Sequence, residues 1–304
     1  MSLFIRASTL CSAAAAIAMA SPALAVVGGP AIAYALTSGQ TQSIYLANPD
    51  GSGTVKIYTG GSKVGINQID IRPGGNQMAI LESSIAGGQG ILKIINYSDA
   101  GVRQSVTTVD SGNCQIVGVD YHPTDGSLLA TRHCNTGAIQ ELRRYYPANS
   151  AWAGDPLVSY NGNVYGGKAR WLNDGSGFLW VVSDAANGGG RIDRYDLTNT
   201  SAPVTVWRSG SNGAPSFFDV QRCGPSQTCD RMLVTTPYGG EIHEVSFSGG
   251  GTDFGKAYGP NTSDGHYSPD NAHILWWRQV QGGSSFMIDN QVFVKGSGSK
   301  DWRQ

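Results

Sequence analysis

Between residues 68 and 277 the chain repeats one pattern about every 50 residues: a short apolar strand, a turn built on Pro, Asp, Asn or Gly, then a second apolar strand. The copies run Gln68-Ile-Asp-Ile-Arg-Pro-Gly-Gly-Asn-Gln-Met-Ala-Ile-Leu81, Val117-Gly-Val-Asp-Tyr-His-Pro-Thr-Asp-Gly-Ser-Leu-Leu-Ala130 and Ala169-Arg-Trp-Leu-Asn-Asp-Gly-Ser-Gly-Phe-Leu-Trp-Val182. A fourth is Phe217 to Pro225 leading into Arg231-Met-Leu-Val-Thr235, and a fifth is Gly265-His-Tyr-Ser-Pro-Asp-Asn-Ala-His-Ile-Leu-Trp-Trp277. Pro73 to Pro123 and Pro123 to Asn173 are each 50 residues, Asn173 to Pro225 is 52, and Pro225 to Pro269 is 44. Such a period implies radially repeated four-stranded antiparallel units, the all-β fold called a β-propeller.

The opening segment is of another kind. Arg6, an Ala-rich apolar run from Leu10 to Ala20 and small residues at Ala23 and Ala25 read as a secretory signal over residues 1–25. The run is too short for a membrane anchor, and no later segment approaches the roughly 18 to 20 apolar residues a spanning helix needs. Cys11 follows a bulky Leu10, unlike a lipid-attachment site. Removing 25 of 304 residues leaves 279 for one domain, 26–304, or about six blades at roughly 45 to 50 residues each.

The first group, Ile32–Leu36, Ser43–Ala47 and Thr54–Tyr58, holds three strands where the others hold four. One blade is therefore incomplete or takes a strand from the other end of the chain, which would remove exposed sheet edges.

Four cysteines remain, Cys114, Cys134, Cys223 and Cys229, an even number in a chain bound for an oxidising compartment. Three pairings are possible; proximity favours Cys114 with Cys134 and Cys223 with Cys229. Zinc is the rival, but only His133 lies beside either pair. Lys and Arg total 21 against 22 Asp and Glu, so nothing draws the chain to nucleic acid or to an anionic membrane.

Turns such as Pro73-Gly-Gly-Asn76, Pro123-Thr-Asp-Gly126 and Pro269-Asp-Asn271, with Ile44-Tyr-Leu-Ala-Asn-Pro-Asp-Gly-Ser-Gly53, resemble the WD-like repeats of the TolB-like propellers. The resemblance covers most of the chain, through about residue 295. It implies a six-bladed propeller. The separate α/β domain that precedes the TolB propeller has no counterpart, so Tol-complex function does not carry over whole.

Catalytic signatures are lacking. There is no Gly-x-Ser-x-Gly elbow, His243-Glu244 does not continue as a zinc-protease helix, and the glycine runs at Gly188 and Gly249 have no helix to bind phosphate. The Asp-Gly turns at Asn48–Gly53 and Asn173–Gly177 lack the spaced ligands of a calcium loop. Trp171, Trp180, Trp207, Trp276 and Trp277 fit packing between blades, with a sugar-stacking platform as the sharper alternative. His122, before a turn proline, is expected to be structural.

What remains is the channel. Residues where inner strands begin gather at one mouth, and here they are Gln68, Gln115, Lys168, Ser216 and His266, with Asp264 and Asn67 adjacent. The expected function is an exported binding or scaffold module for a protein, peptide or envelope component, without cofactor or metal. The alternative is a periplasmic metal-assisted enzyme, a lyase or glycan-active protein, using His266, Asp264 and Lys168 at the channel mouth.

Overall fold

The computed structural model describes residues 31–303, apart from 85–89, 135–138, 162–163, 185–188, 210–214, 216, 223–228, 236–239, 248–252, 259–261, 281–282, 289–290 and 296–299. The signal expected over residues 1–25 lies outside these.

Among the described residues every sheet is antiparallel and most are built from consecutive strands. The first sheet holds β1 (Ala31–Ser38), β2 (Thr41–Ala47) and β3 (Val55–Thr59); the second holds β4 (Val64–Ile71), β5 (Gln77–Ser84), β6 (Ile91–Tyr97) and β7 (Arg103–Thr108). The third holds β8 (Cys114–Tyr121), β9 (Leu128–Cys134), β10 (Ile139–Tyr146), β11 (Ala151–Trp152) and β12 (Val158–Asn161). The fourth holds β13 (Val164–Trp171), β14 (Gly177–Asp184), β15 (Gly189–Asp196) and β16 (Asn199–Arg208). The fifth holds β17 (Phe217–Val220), β18 (Arg231–Thr235), β19 (Ile242–Ser246) and β20 (Asp253–Tyr258), and the sixth holds β21 (Thr262–Tyr267), β22 (Ile274–Val280), β23 (Gly283–Ile288) and β24 (Gln291–Lys295). A last strand, β25 (Lys300–Arg303), returns to the first sheet and pairs with β1, Ile32 opposite Trp302. The short first group is thus completed from the other end of the chain.

The apolar runs explain the packing. Successive side chains of a strand point to opposite faces, and the second strand of each unit is apolar on both. Met78 and Ile80 join the cluster shared with the first sheet, whereas Ala79 and Leu81 join the one shared with the third. Phe178 and Trp180 face the third sheet, and Leu179 and Val181 face the fifth. Leu233, Ile242, Tyr267 and Trp276 fill the space between the fifth and sixth sheets. Ile32, Tyr34 and Ala47 pack on Leu275, joining the sixth sheet back to the first. The strands nearest the axis touch in the same cyclic order, β4 to β8, β13, β17, β21, β25 and again β4. Sheets arranged this way are a β-propeller.

The expectation of four strands in every blade is corrected at the third sheet. There β11 and β12 both pair with β10, opposite Tyr145–Tyr146 and Ile139–Leu142 respectively. Pro156, which has no N–H to donate, falls between them and splits the outer strand.

Close packing leaves particular glycines no room. A Cβ on Gly177 would lie 2.2 Å from the Tyr195 carbonyl oxygen, in the β14–β15 ladder, whereas one on Gly154 would meet nothing within 4 Å. Gly177→Ala is expected to cost about 2–3 kcal/mol by forcing backbone apart. Thermal unfolding should show that loss, and Gly154→Ala should leave the midpoint unchanged or slightly raised.

Candidate functional site in the central channel

Each strand at the axis places one polar residue at the same register position. Asp70 lies opposite Ala79, Asp120 opposite Leu129, Arg170 opposite Leu179, Asp219 opposite Leu233, and His266 opposite Leu275. All five are buried. Buried carboxylates must find donors, and here the next strand around the ring supplies them. The Tyr121 N–H donates to Asp70 Oδ2 at 2.5 Å, the Trp171 N–H to Asp120 Oδ2 at 2.6 Å, and the Tyr267 N–H to Asp219 Oδ2 at 3.0 Å.

Arg170 breaks the carboxylate series and neutralises part of it. Its Nη1 is 2.7 Å from Asp120 Oδ1 and 3.8 Å from Asp70 Oδ1, and its Nε is 3.9 Å from Asp219 Oδ1. It also donates to the carbonyls of Val119 and Phe218. Burial pushes the Asp120 carboxyl above its ordinary value, against the pull of Arg170, Arg222 and the Trp171 N–H. His266 Nδ1 lies 3.7 Å from Asp219 Oδ2.

One layer toward the strand starts, the ladders of β4, β8, β13 and β21 each shift register, between Ile66 and Gln68, Ile116 and Gly118, Gly166 and Ala169, and Ser263 and His266. Bulges of this kind re-aim side chains. Lys168 and Asp264 lie within these shifts, both half-buried, and Asp264 has φ +52°. Asn67 is exposed and donates to Ser83 Oγ at 2.6 Å. Gln68 is buried and tied to the neighbouring blade, its Nε2 donating to the Val119 carbonyl at 2.5 Å. Gln115 pairs with His133 across β8 and β9, and Ser216 lies outside the described residues.

The structure brings Lys168 and His266 together through Phe217. The Phe217 ring has the Lys168 ammonium 4.7 Å from its centroid, the Arg170 guanidinium carbon at 5.3 Å and the His266 ring at 4.6 Å. At 4 % exposure it fills the interior at this level.

A small pocket opens at the opposite mouth, where the inner strands end. Its rim carries Pro73, Pro123, Asn173, Gln221 and Arg222, and Asp120, Arg170 and Asp219 reach it from the polar layer. Polar residues flanked by apolar ones late in each inner strand were the signal for this site: Ile-Asp70-Ile, Val-Asp120-Tyr, Ala-Arg170-Trp, Phe-Asp219-Val and Gly-His266-Tyr.

The turns at this mouth interlock. In the Asp125-Gly-Ser and Asp174-Gly-Ser turns the Asp Oδ1 accepts both the backbone N–H and the hydroxyl of the serine, at 2.7–2.9 Å, as Asp50 does with Ser52. The carboxylates of these Asp-Gly turns are therefore occupied as turn caps. His122 Nδ1 accepts the N–H groups of Thr124 and Asp125, and its ring sits against Gly175, where a Cβ would lie 2.4 Å from Nε2. Arg222 and Asn271 join the fifth and sixth sheets through the Arg222 N–H, which donates to Asn271 Oδ1 at 2.8 Å. Trp171, Trp180 and Trp276 are buried in the inter-blade cores, and Trp207 and Trp277 pack against them, so none of the five forms an exposed platform.

The titrating groups bound the stable pH range. Burial holds the His122 imidazole below its ordinary 6.5, so its contribution is lost as pH falls through that value. Asp50 and Asp270 are held below 3.8 chiefly by serine hydroxyls, and in Asp125 and Asp174 hydrogen bonds from serine outweigh burial. Their contribution is lost below that value. Burial raises Tyr58, Tyr121, Tyr195 and Tyr267 above 10.0, so stability falls as pH climbs past 10. Asp120, being raised, acts oppositely in acid. Urea melts across pH 3 to 11 should show a plateau near neutrality, a decline below about pH 6 and steep losses at both extremes.

Cys114 and Cys134, directly opposite in β8 and β9, form a disulfide. Arg132 Nη2 lies 3.0 Å from Cys114 Sγ, and its Nη1 donates to Glu141 Oε1 at 2.8 Å. Cys114, Cys134 and Glu141 cluster closely enough to suggest a metal set, but both sulfurs are committed to each other. Cys229 is disulfide-bonded as well, and Cys223 lies outside the described residues. No helix among the described residues is long and apolar enough to cross a membrane.

No protein-family model and no curated protein matches the chain. Solved structures do. TolB from Acinetobacter baumannii is 18% identical with a TM-score of 0.61, covering 92% of this chain and 68% of that one. A chain of a nidogen–laminin complex is 9% identical with a TM-score of 0.60, over 90% of this chain and 98% of that one. The periplasmic gluconolactonase of Pseudomonas aeruginosa is 10% identical with a TM-score of 0.54, over 86% and 81%. At these identities the shared property is the fold, so the chain is a β-propeller similar to TolB and to propellers of other functions, among them an enzyme.

Proposed function

We propose that this chain is an exported, six-bladed, single-domain propeller over residues 26–304, acting as a binding module for a polypeptide of the cell envelope. The ligand seats at the mouth where the inner strands end. The observation that carries this reading is the pocket lined by the Asp120–Arg170–Asp219 network. The two carboxylates accept backbone N–H groups of the neighbouring strand and Arg170 donates to the carbonyls of Val119 and Phe218, so little order remains to be imposed on binding. Buried Phe217 packs against the Arg170 guanidinium, and a pocket with so ordered a lining suits an inserted side chain or loop tip. The disulfide Cys114–Cys134 favours an oxidising compartment.

The enzyme reading rests on the His266–Asp219 pair at 3.7 Å. His266 is packed against Phe217 at 2 % exposure, so a substrate would have to displace packed side chains to reach it. The binding reading is therefore preferred.

A photo-crosslinking amino acid at Gln221, on the pocket rim, tests it against one at Val204, 60 % exposed on β16. With envelope extract from the source cell, position 221 should give a discrete adduct and position 204 none. Equal labelling at both positions would sink the reading.

A further inference from the structure

From the unequal use of the pocket's carboxylate oxygens, we propose that the pocket takes a cationic side chain, lysine or arginine, of a partner polypeptide, and that Asp219 Oδ1 receives its N–H. This inference rests on the binding reading above. In Asp120, Oδ1 is paired with Arg170 at 2.7 Å and Oδ2 with the Trp171 N–H at 2.6 Å. Asp219 is different. Its Oδ2 accepts the Tyr267 N–H, while the nearest cation to Oδ1 is Arg170 Nε at 3.9 Å, beyond hydrogen-bond reach. Among the described residues no donor closes on that oxygen, although the residue is 3 % exposed and borders the pocket.

A carboxylate oxygen that borders the pocket with no protein donor within hydrogen-bond reach offers an acceptor to a ligand N–H. Charge points the same way. Within the polar layer three carboxylates, Asp70, Asp120 and Asp219, share the one Arg170 guanidinium. A divalent metal fits poorly, because it needs several converging oxygens and the others are already bonded.

The test uses the full chain with acetyl-lysine methylamide, acetyl-arginine methylamide, their neutral twin acetyl-norleucine methylamide, and calcium chloride alone. Amide NMR shifts of Val220 to Arg222 report occupancy. Both cationic probes should bind at least roughly tenfold more tightly than norleucine, and Asp219→Asn should abolish that preference. Gln221→Glu, which leaves the buried network untouched, should strengthen cation binding and covers the case in which the first variant does not fold. Equal affinity for norleucine, cation binding unchanged in Asp219→Asn, no gain in Gln221→Glu, or saturable shifts with calcium alone would each overturn the proposal. The Gln221 crosslink separates the two ideas: an adduct without cation preference leaves the binding reading standing, and loss of the adduct removes both.

Discussion

Arg170→Ala should unfold at a temperature lower by roughly 8–15 °C, the expected consequence of leaving three buried carboxylates around an absent cation. Removing one partner of a buried ion pair costs about 3–5 kcal/mol, because the other charge stays desolvated. Here Asp70, Asp120 and Asp219 all lie within 4 Å of the guanidinium. A second signature separates this cause from simple loss of packing. Without the cation the carboxyls bind protons more readily in the folded state, so acid should relieve the variant. Its deficit against the parent chain is expected to shrink between pH 7 and pH 5. A deficit that stays constant across that range would assign the loss to packing alone.

Ending the chain at residue 299 should be at least as damaging. β25 pairs Ala31 with Arg303 and Tyr34 with Lys300, and it also touches β4 of the second sheet. Asp301 sits opposite Ala33, two residues into β1, as Asp70 sits opposite Ala79, two residues into β5. The last strand is therefore the sixth copy of the axial pattern. Losing it removes a strand from one sheet and its seam with the next, and bares the edge of β1. A fall in melting temperature above about 10 °C and concentration-dependent self-association are expected. Calorimetry and size-exclusion chromatography would check both, and an unchanged, monomeric melt would show that β25 adds nothing to closure.

These two sites mark where the reading of the sequence succeeded and where it stopped. Strands such as Met78–Leu81 and Phe178–Val182 were legible because burial on both faces leaves an uninterrupted apolar run. The axial carboxylates were harder to see. A polar residue inside a strand ordinarily points to water, and only register shows that Asp70, Asp120 and Asp219 turn toward one another. Arg170 further disguised the series by replacing an acid with a base. The copy at Asp301 follows His266 by 35 residues instead of the 47 to 50 that separate earlier copies, so the period did not reveal it. Gln68 and Lys168 begin their strands' apolar runs, yet bulges and Phe217 engage them in packing, while the pocket forms at the other end.

The position of β25 also bears on biogenesis. A ribosome delivers β1 to β3 long before β25, the strand that completes their sheet, so that sheet stays unfinished until every other sheet has been synthesised. Closure of the ring therefore waits until β25 has been synthesised, so contacts between the first and last sheets form late in folding.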